Sequence, residues 1–400
     1  MALKEVQHPR RIPMSHYTTV LNEMLNLLPR HQFDTLVRRH DSDRYVKRFN
    51  SWHQLVTMLY AQASGKQSLR DIQQGFQANP ARLYHLGLPE IKRSTLSDAN
   101  SKRSYKVFEG LFNKLLIRCQ EVAPNKHGFK FKNPLHSLDA TTIDLCLSVF
   151  PWAKFRQAKG GIKLHYDLNH AGMIPEFLRI TDAKEHEITV ARKFFTITPD
   201  SIYCVDKGYM DFEWFRHIHD AGAFFVTRAK NNLDCRFIGQ HSEANKKGVV
   251  ADELIELKGF YVSKDYPHPL RRIHYFDWET SKELVFLTNN LHLSALTITQ
   301  IYKARWQIEI FFKWIKQNLK IKTFLGASEN AVLTQIWIAM CYYLLLAFIK
   351  FQTNYKYSLF YLHRIIRETL LARCTLIEIL KATESVIPKL KRDDPQLTFW

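Results

Sequence analysis

Three acidic residues stand where a carboxylate does more than solvate a surface. Asp139 lies inside an apolar, strand-like run, SLDATTI, and a mid-strand carboxylate facing a core is costly unless it meets a cation or a donor. Asp206 ends another such run, IYCVD, at the carboxyl edge where ligands gather in α/β sheets; an Asp there also suits a turn ahead of Gly208. Glu309 belongs to YKARWQIEIFFKWIK, in which Tyr302, Arg305, Glu309 and Lys316 are spaced by three, four and seven residues. At about 100° per residue these four share a helical stripe roughly 60° wide, with Ala304, Phe311, Trp314 and Ile315 on the other side. An exposed Arg305–Glu309 ion pair on a solvated helix face gives the same pattern. Carboxylates on three separate elements can flank a pair of hard divalent cations, and such oxygen ligands suit magnesium or manganese better than zinc.

Further candidates each have a plain alternative. Arg228 and Lys230 leave a strand in VTRAKNN, and Trp278 stands in YFDWETS; a solvated strand exit and a core indole are the ordinary readings. The segment IKRSTLSDANSKRSYK gathers Lys92, Arg93, Lys102, Arg103 and Lys106 among hydroxyl side chains. A short helix entered at Ser94 or Thr95 would meet phosphates there, and a basic connection between core helices is the alternative. His165, His170 and His186 lack regular spacing and read as structural or phosphate-facing. The six cysteines are scattered without a CxxC pair, which speaks against a zinc site or a disulfide framework.

Particular elements must bring these residues together. From His16 to about Arg118, apolar residues recur at helical intervals in YTTVLNEMLNLL, SWHQLVTMLYAQA and YKVFEGLFNKLLIRC, predicting an all-helical unit with Ser51 and Ser68 as helix caps. From Pro134, LHSLDATTIDLCL, GGIKLHYDLN and MIPEFLRIT predict an antiparallel meander. A helix near Ile188 to Phe195, a strand SIYCVD, a helix DFEWFRHIHDAG and a strand AFFVTRAK follow, an order that makes a mixed sheet with helices on its faces. CRFIG, ELKGFYVS, RRIHYFDW and ELVFLTNN predict strands of a β-rich insertion. A long helix from Ile298 to about Gln317, with Thr297 and Gln300 as a capping box, then carries Glu309. The 14 uncharged residues Ile336 to Ile349 fall short of the about 20 that span a membrane and predict a buried helix. The expected units are an all-helical domain at 1–125, an α/β core at 126–230 and 291–350, a β-rich insertion at 231–290 and a helical region at 351–400.

Composition narrows the partner. The 57 Lys and Arg against 38 Asp and Glu leave a charge of +19, which favours a polyanion, nucleic acid above all, with anionic lipid or an acidic protein as the alternatives. With 46% hydrophobic residues the chain can bury a core without disulfides or metals. It shows no internal repeat, no low-complexity segment and, in MALKEVQHPRRIPMSH, no signal peptide, so a cytoplasmic, nucleoid-associated protein is expected.

The spacing of Tyr302, Arg305, Glu309 and Lys316 resembles the signature of the insertion sequence four family of transposases. Asp206, Lys207, Gly208 and Tyr209 resemble the family's second motif, with Lys207 where Arg is frequent, and Asp139 is placed as its first aspartate. The gaps of 67 and 103 residues fit a core whose longer interval houses a β-rich insertion. The resemblance covers about Pro134 to Lys350 and implies a ribonuclease H-like fold in which Asp139, Asp206 and Glu309 hold two Mg²⁺ or Mn²⁺ ions. It further implies that Tyr302, Arg305 and Lys316 hold DNA phosphates near the cleaved end; Arg228 and Lys230 resemble a basic pair found after the second aspartate in these enzymes, and Trp278 is a candidate to stack on a base flipped out at a hairpin end. Its partners are then double-stranded DNA, as terminal inverted repeats and target, and a second copy of the chain in a synaptic dimer. The rival readings are a non-catalytic DNA-binding relative or repressor, and a nuclease or resolvase on the same fold.

Overall fold

A computed structural model describes residues 18–386, except 125, 157–158, 244–246, 320 and 322. The amino-terminal segment read for a signal peptide lies outside the described residues. Helices come first: α1 (Val20–Asn26), α2 (Arg30–Arg39), α3 (Ser51–Ser64), α4 (Leu69–Gln77), α5 (Pro80–Leu83), α6 (Arg93–Lys102) and α7 (Lys106–Val122). Ser68 caps α4 as expected, but α3 is capped by Asn50, whose side chain and His53 form a capping box. Ser51 is already inside the helix, its hydroxyl donating to Asp43 Oδ1 at 2.7 Å. α6 begins at Arg93 without a side-chain cap.

The strands are β1 (Leu135–Leu145), β2 (Lys154–Arg156), β3 (Lys159–Asn169) and β4 (Ile174–Asp182), followed by α8 (Glu187–Phe194), β5 (Ile202–Val205), α9 (Phe212–Asp220) and β6 (Phe224–Arg228). β1, β3 and β4 form the expected antiparallel meander, and β1, β5 and β6 are mutually parallel. Parallel neighbours need a crossover, which α9 supplies between β5 and β6. The chain continues through β7 (Cys235–Ser242), β8 (Val249–Leu257), α10 (Phe260–Asp265), β9 (Leu270–Asp277) and β10 (Lys282–Thr288). The expected strand ELKGFYVS is cut at Gly259, where φ of +90° breaks the extended path and α10 begins. β10 pairs with β6, so β7–β10 and the central strands share one ten-stranded mixed sheet.

The long helix carrying Glu309 starts earlier than expected. Ser294, not Thr297, is the cap; its Oγ accepts the Thr297 N–H at 3.2 Å. The helix is divided at Arg305 into α11 (Ala295–Ala304) and α12 (Trp306–Asn318), although Arg305 keeps helical dihedrals. Last come α13 (Glu329–Gln352), α14 (Leu359–Thr369) and α15 (Leu376–Val386). α13 is long and apolar enough to cross a membrane, yet its apolar window is wholly buried, packed by α7, α3, α6 and α14. A helix apolar all round is a core helix when protein surrounds it.

Strand alternation divides the sheet's two faces. Ile202 and Cys204 of β5 pack with Ile298 and Ile301 of α11, while Tyr203 and Val205 pack with Trp214, Phe215 and Ile218 of α9. Tyr166 of β3 meets Phe311 and Phe312 of α12. One face thus carries α11 and α12, and the other α8 and α9.

Candidate active site

The pairing register brings the two aspartates together. Leu138 of β1 is opposite Val205 of β5 at the end of their parallel ladder. The next residues, Asp139 and Asp206, therefore stand side by side as the ladder ends, on strands about 4.8 Å apart. Alternation turns both carboxylates to the α12 face. Asp206 keeps an extended backbone, and its Oδ1 accepts the Gly208 N–H at 2.8 Å. A Cβ on Gly208 would lie 3.0 Å from that oxygen, so any larger residue shifts the carboxylate by a few tenths of an ångström.

Glu309 reaches the same place from α12 through Arg305. Nη1 of Arg305 donates to Asp139 Oδ2 at 3.3 Å and Nη2 to Glu309 Oε1 at 2.6 Å. The guanidinium also lies 5.6 Å from the Tyr302 ring centre. Tyr302, Arg305 and Glu309 therefore meet on one helix side as the spacing requires, with the Phe311, Trp314 and Ile315 side buried. Burial pushes the Asp139 carboxyl up to about 7, against the lowering effect of the Ala140 N–H and Arg305, with Asp206 and Glu309 adding to the rise. Burial would weaken Arg305 as an acid–base partner, but Glu309, Tyr302 and Asp139 hold it firmly charged. Among the described residues the three carboxylates do not close to within 4.8 Å of one another; Arg305 bridges two of them. It brings one positive charge among three carboxyl groups, whose oxygens fit hard divalent cations.

The remaining candidates fall around this centre or away from it. Lys230 lines an open cleft of about 550 Å³ with Asp206, Lys207, Gly208 and Asn231. Arg228 ends β6 near Tyr302, whose hydroxyl it influences. Lys316 lies on α12 about 10 Å along the axis from Glu309. Trp278, 69% exposed, stands on the β9–β10 turn. Its neighbour Asp277 accepts from Lys303 Nζ of α11 at 3.1 Å, which holds the turn beside the helix end bearing Tyr302 and Arg305. Trp306, 58% exposed and next to Arg305, falls about 40° from Tyr302 at about 100° per residue, on the polar side of the helix, a signal the four-residue stripe alone does not use.

Arg93 is exposed at the start of α6, but Arg103 is not placed to meet phosphates. It turns inward, donating to the Phe49 carbonyl and, at 3.3 Å, to Gln54 Oε1, and pairs with Asp43 at 3.9 Å. His165 and His170 are structural: each makes a hydrogen bond, to Thr181 and Ser137, and burial lowers them to about 4 and about 3, leaving both neutral. His186 precedes α8.

The sequence profile of the transposase DDE domain matches residues 131–345, and that of a domain of unknown function matches residues 16–89. A Sinorhizobium fredii protein assigned as transposase y4zB is 36% identical over 63% of this chain and 69% of its own. A Geobacillus stearothermophilus protein assigned as the transposase for insertion sequence element IS5377 is 26% identical over 67% of this chain and 70% of its own. A cryo-EM structure of the piggyBac transposase synaptic complex with hairpin DNA aligns with 96% of this chain and 81% of its own, at TM-score 0.43 and 8% identity. The DDE-domain match takes in the strand of Asp139, the strand end at Asp206 and the helix of Glu309, and the chain belongs to the DDE transposase family.

Proposed function

We propose that the chain is the transposase of an insertion sequence of the four family, binding terminal inverted repeats and cutting and joining DNA with Asp139, Asp206 and Glu309. A transposase DDE domain works with divalent metal ions; two Mg²⁺ or Mn²⁺ ions here would stabilise the attacking and leaving oxygens of a phosphodiester together. The supporting observation is the approach of three carboxylates, distant in sequence, where the β1–β5 ladder ends, with Arg305 between two of them.

The chain's own residues then divide the work. Asp139 and Asp206 present oxygens from two rigid parallel strands, and Glu309 from a helix that packs on the same face. Arg305 tempers repulsion among them, and its planar guanidinium is of the kind that grips phosphate oxygens two at a time. Tyr302, Lys316, Arg228 and Lys230 extend that grip along the strand. Trp278 stacks on a base displaced at a hairpinned end. The central strands with α9, α11 and α12 are read as a ribonuclease H-like core, and the helices before β1 as an end-binding domain in which Arg93 touches the backbone. A synaptic homodimer, each subunit binding one end, completes the proposal.

A linear DNA carrying the element's ends, with a supercoiled target plasmid and Mg²⁺, tests it. The expected outcome is end cleavage and joined product, abolished in Asp139→Asn and Glu309→Gln while both variants still shift the end DNA. Cutting without joining would mark a nuclease, a shift without either a binding protein, and full cleavage by the two variants would remove the assignment of ligands.

A further inference from the structure

On the sheet face away from Asp139, three side chains meet that transposition leaves unused. Nδ1 of His136 on β1 lies 3.0 and 3.1 Å from the two carboxylate oxygens of Asp167 on β3, and 3.8 Å from Oε2 of Glu176 on β4. One candidate ligand atom from each is within 4.8 Å of the others, and His136 and Asp167 are both 4% exposed. A break in the pairing assembles the group. Asp167 and Leu168 face Phe177 and Pro175, which leaves Glu176 as an extra residue in β4. Bulges re-aim side chains; in an unbroken ladder Glu176 would be opposite Leu168 and point to the α12 face. Here its Oε2 reaches His136, and its Oε1 accepts from Asn169 Nδ2 at 2.7 Å.

Charge then asks for a cation. Two carboxylates and one imidazole carry at least one net negative charge, and among the described residues no Lys or Arg pairs with Asp167 or Glu176. His136 pairs with Asp167, so the excess charge falls on Glu176, whose side chain is 28% exposed and accepts from Asn169. A divalent ion with neutral imidazole and two carboxylates brings the sum to zero.

We propose that His136, Asp167 and Glu176 form a second divalent-cation site, structural and of zinc type, in which the ion takes the place of the proton between His136 and Asp167. A nitrogen with carboxylate oxygens suits zinc at about 2.0–2.2 Å, and the partly exposed Glu176 side leaves a fourth position for water. Such an ion would tie β1, β3 and β4 together three residues from Asp139. The site stands on the opposite face from the proposed catalytic trio and does not depend on that assignment.

The test uses the full chain carrying Asp139→Asn, Asp206→Asn and Glu309→Gln, so that no ion is held by the trio. After chelation and dialysis against Zn²⁺, elemental analysis should find about one zinc per chain. Co²⁺ in its place should give visible bands without thiolate charge transfer. Adding Glu176→Gln should weaken Zn²⁺ binding on the order of tenfold with an unchanged circular dichroism spectrum, and His136→Asn should remove it. No retained zinc, zinc undiminished by both substitutions, or a cobalt–thiolate band would each overturn the proposal. If His136→Asn fails to fold, the Co²⁺ spectrum and Zn²⁺ affinity of the Glu176→Gln protein decide it.

Discussion

Asp139 is held in a position that suits a cation better than it suits the protein alone. Its carboxyl sits near 7 because burial and two neighbouring carboxylates outweigh Arg305 and the Ala140 N–H. The raised value means that the folded chain binds a proton more readily than the unfolded one, so this group lowers stability as pH rises from about 4 to about 7. Asp139→Asn, which never charges, should therefore melt several degrees above the parent at pH 8 in chelator and lose that advantage near pH 4. A parent and variant that melt together at pH 8 would show the carboxylate to be well solvated. Gly208→Ala should push the Asp206 carboxylate aside, and Mg²⁺-dependent cleavage should fall on the order of tenfold or more, as when a group supporting a metal ligand is lost; an Ala variant of full activity would show that Asp206 has room. At this scale the sequence was informative where a residue broke its local rule: an acid inside a strand, or Tyr302, Arg305 and Glu309 on one helical stripe. It misled at Arg103, because a basic run does not reveal which of its cations turns inward. The His136 cluster was invisible, since three strands and a bulge bring it together.

Elements were legible wherever hydrophobic period and breaker residues agreed, as in the meander of β1, β3 and β4 and in the buried α13. They were not where a boundary depended on a single side chain, as with Asn50 against Ser51 or Ser294 against Thr297, or where Gly259 changed strand to helix. Nor could spacing show that β10 would pair with β6 and continue one sheet into the region after Asn231. A buried ion pair secures that continuation. Arg271 of β9 donates to both oxygens of Asp252 on β8 at 2.7 and 2.8 Å, and to the carbonyls of Asn290 at 3.1 Å and Leu293 at 2.6 Å ahead of α11. Both side chains are fully buried. Arg271→Ala would strand the Asp252 charge and two carbonyls, and should destabilise by about 3–5 kcal/mol in urea unfolding. Replacing both partners, Arg271→Met with Asp252→Leu, should recover part of that loss. A single-variant cost below about 1 kcal/mol would place this pair with ordinary surface salt bridges.

For the whole molecule, the question is what a charge of +19 is for. Fold stability does not need it, because like charges repel in a compact chain. On the proposed function it should appear as counterion release when DNA binds. Affinity for end DNA should fall by on the order of 10³–10⁵ between 50 and 200 mM salt if about six to ten phosphates are neutralised. Single substitutions then separate cations that meet DNA from those that hold the fold. Arg93→Ala and Lys230→Ala, both exposed, should each flatten the log–log salt slope by about one and leave melting unchanged. Arg103→Ala should leave the slope alone and lower the melting temperature, because its guanidinium is committed to Phe49, Gln54 and Asp43. A slope that changes with Arg103 and not with Arg93 would reverse the inside and outside of the amino-terminal helices, and an affinity indifferent to salt would separate the basic surface from DNA altogether.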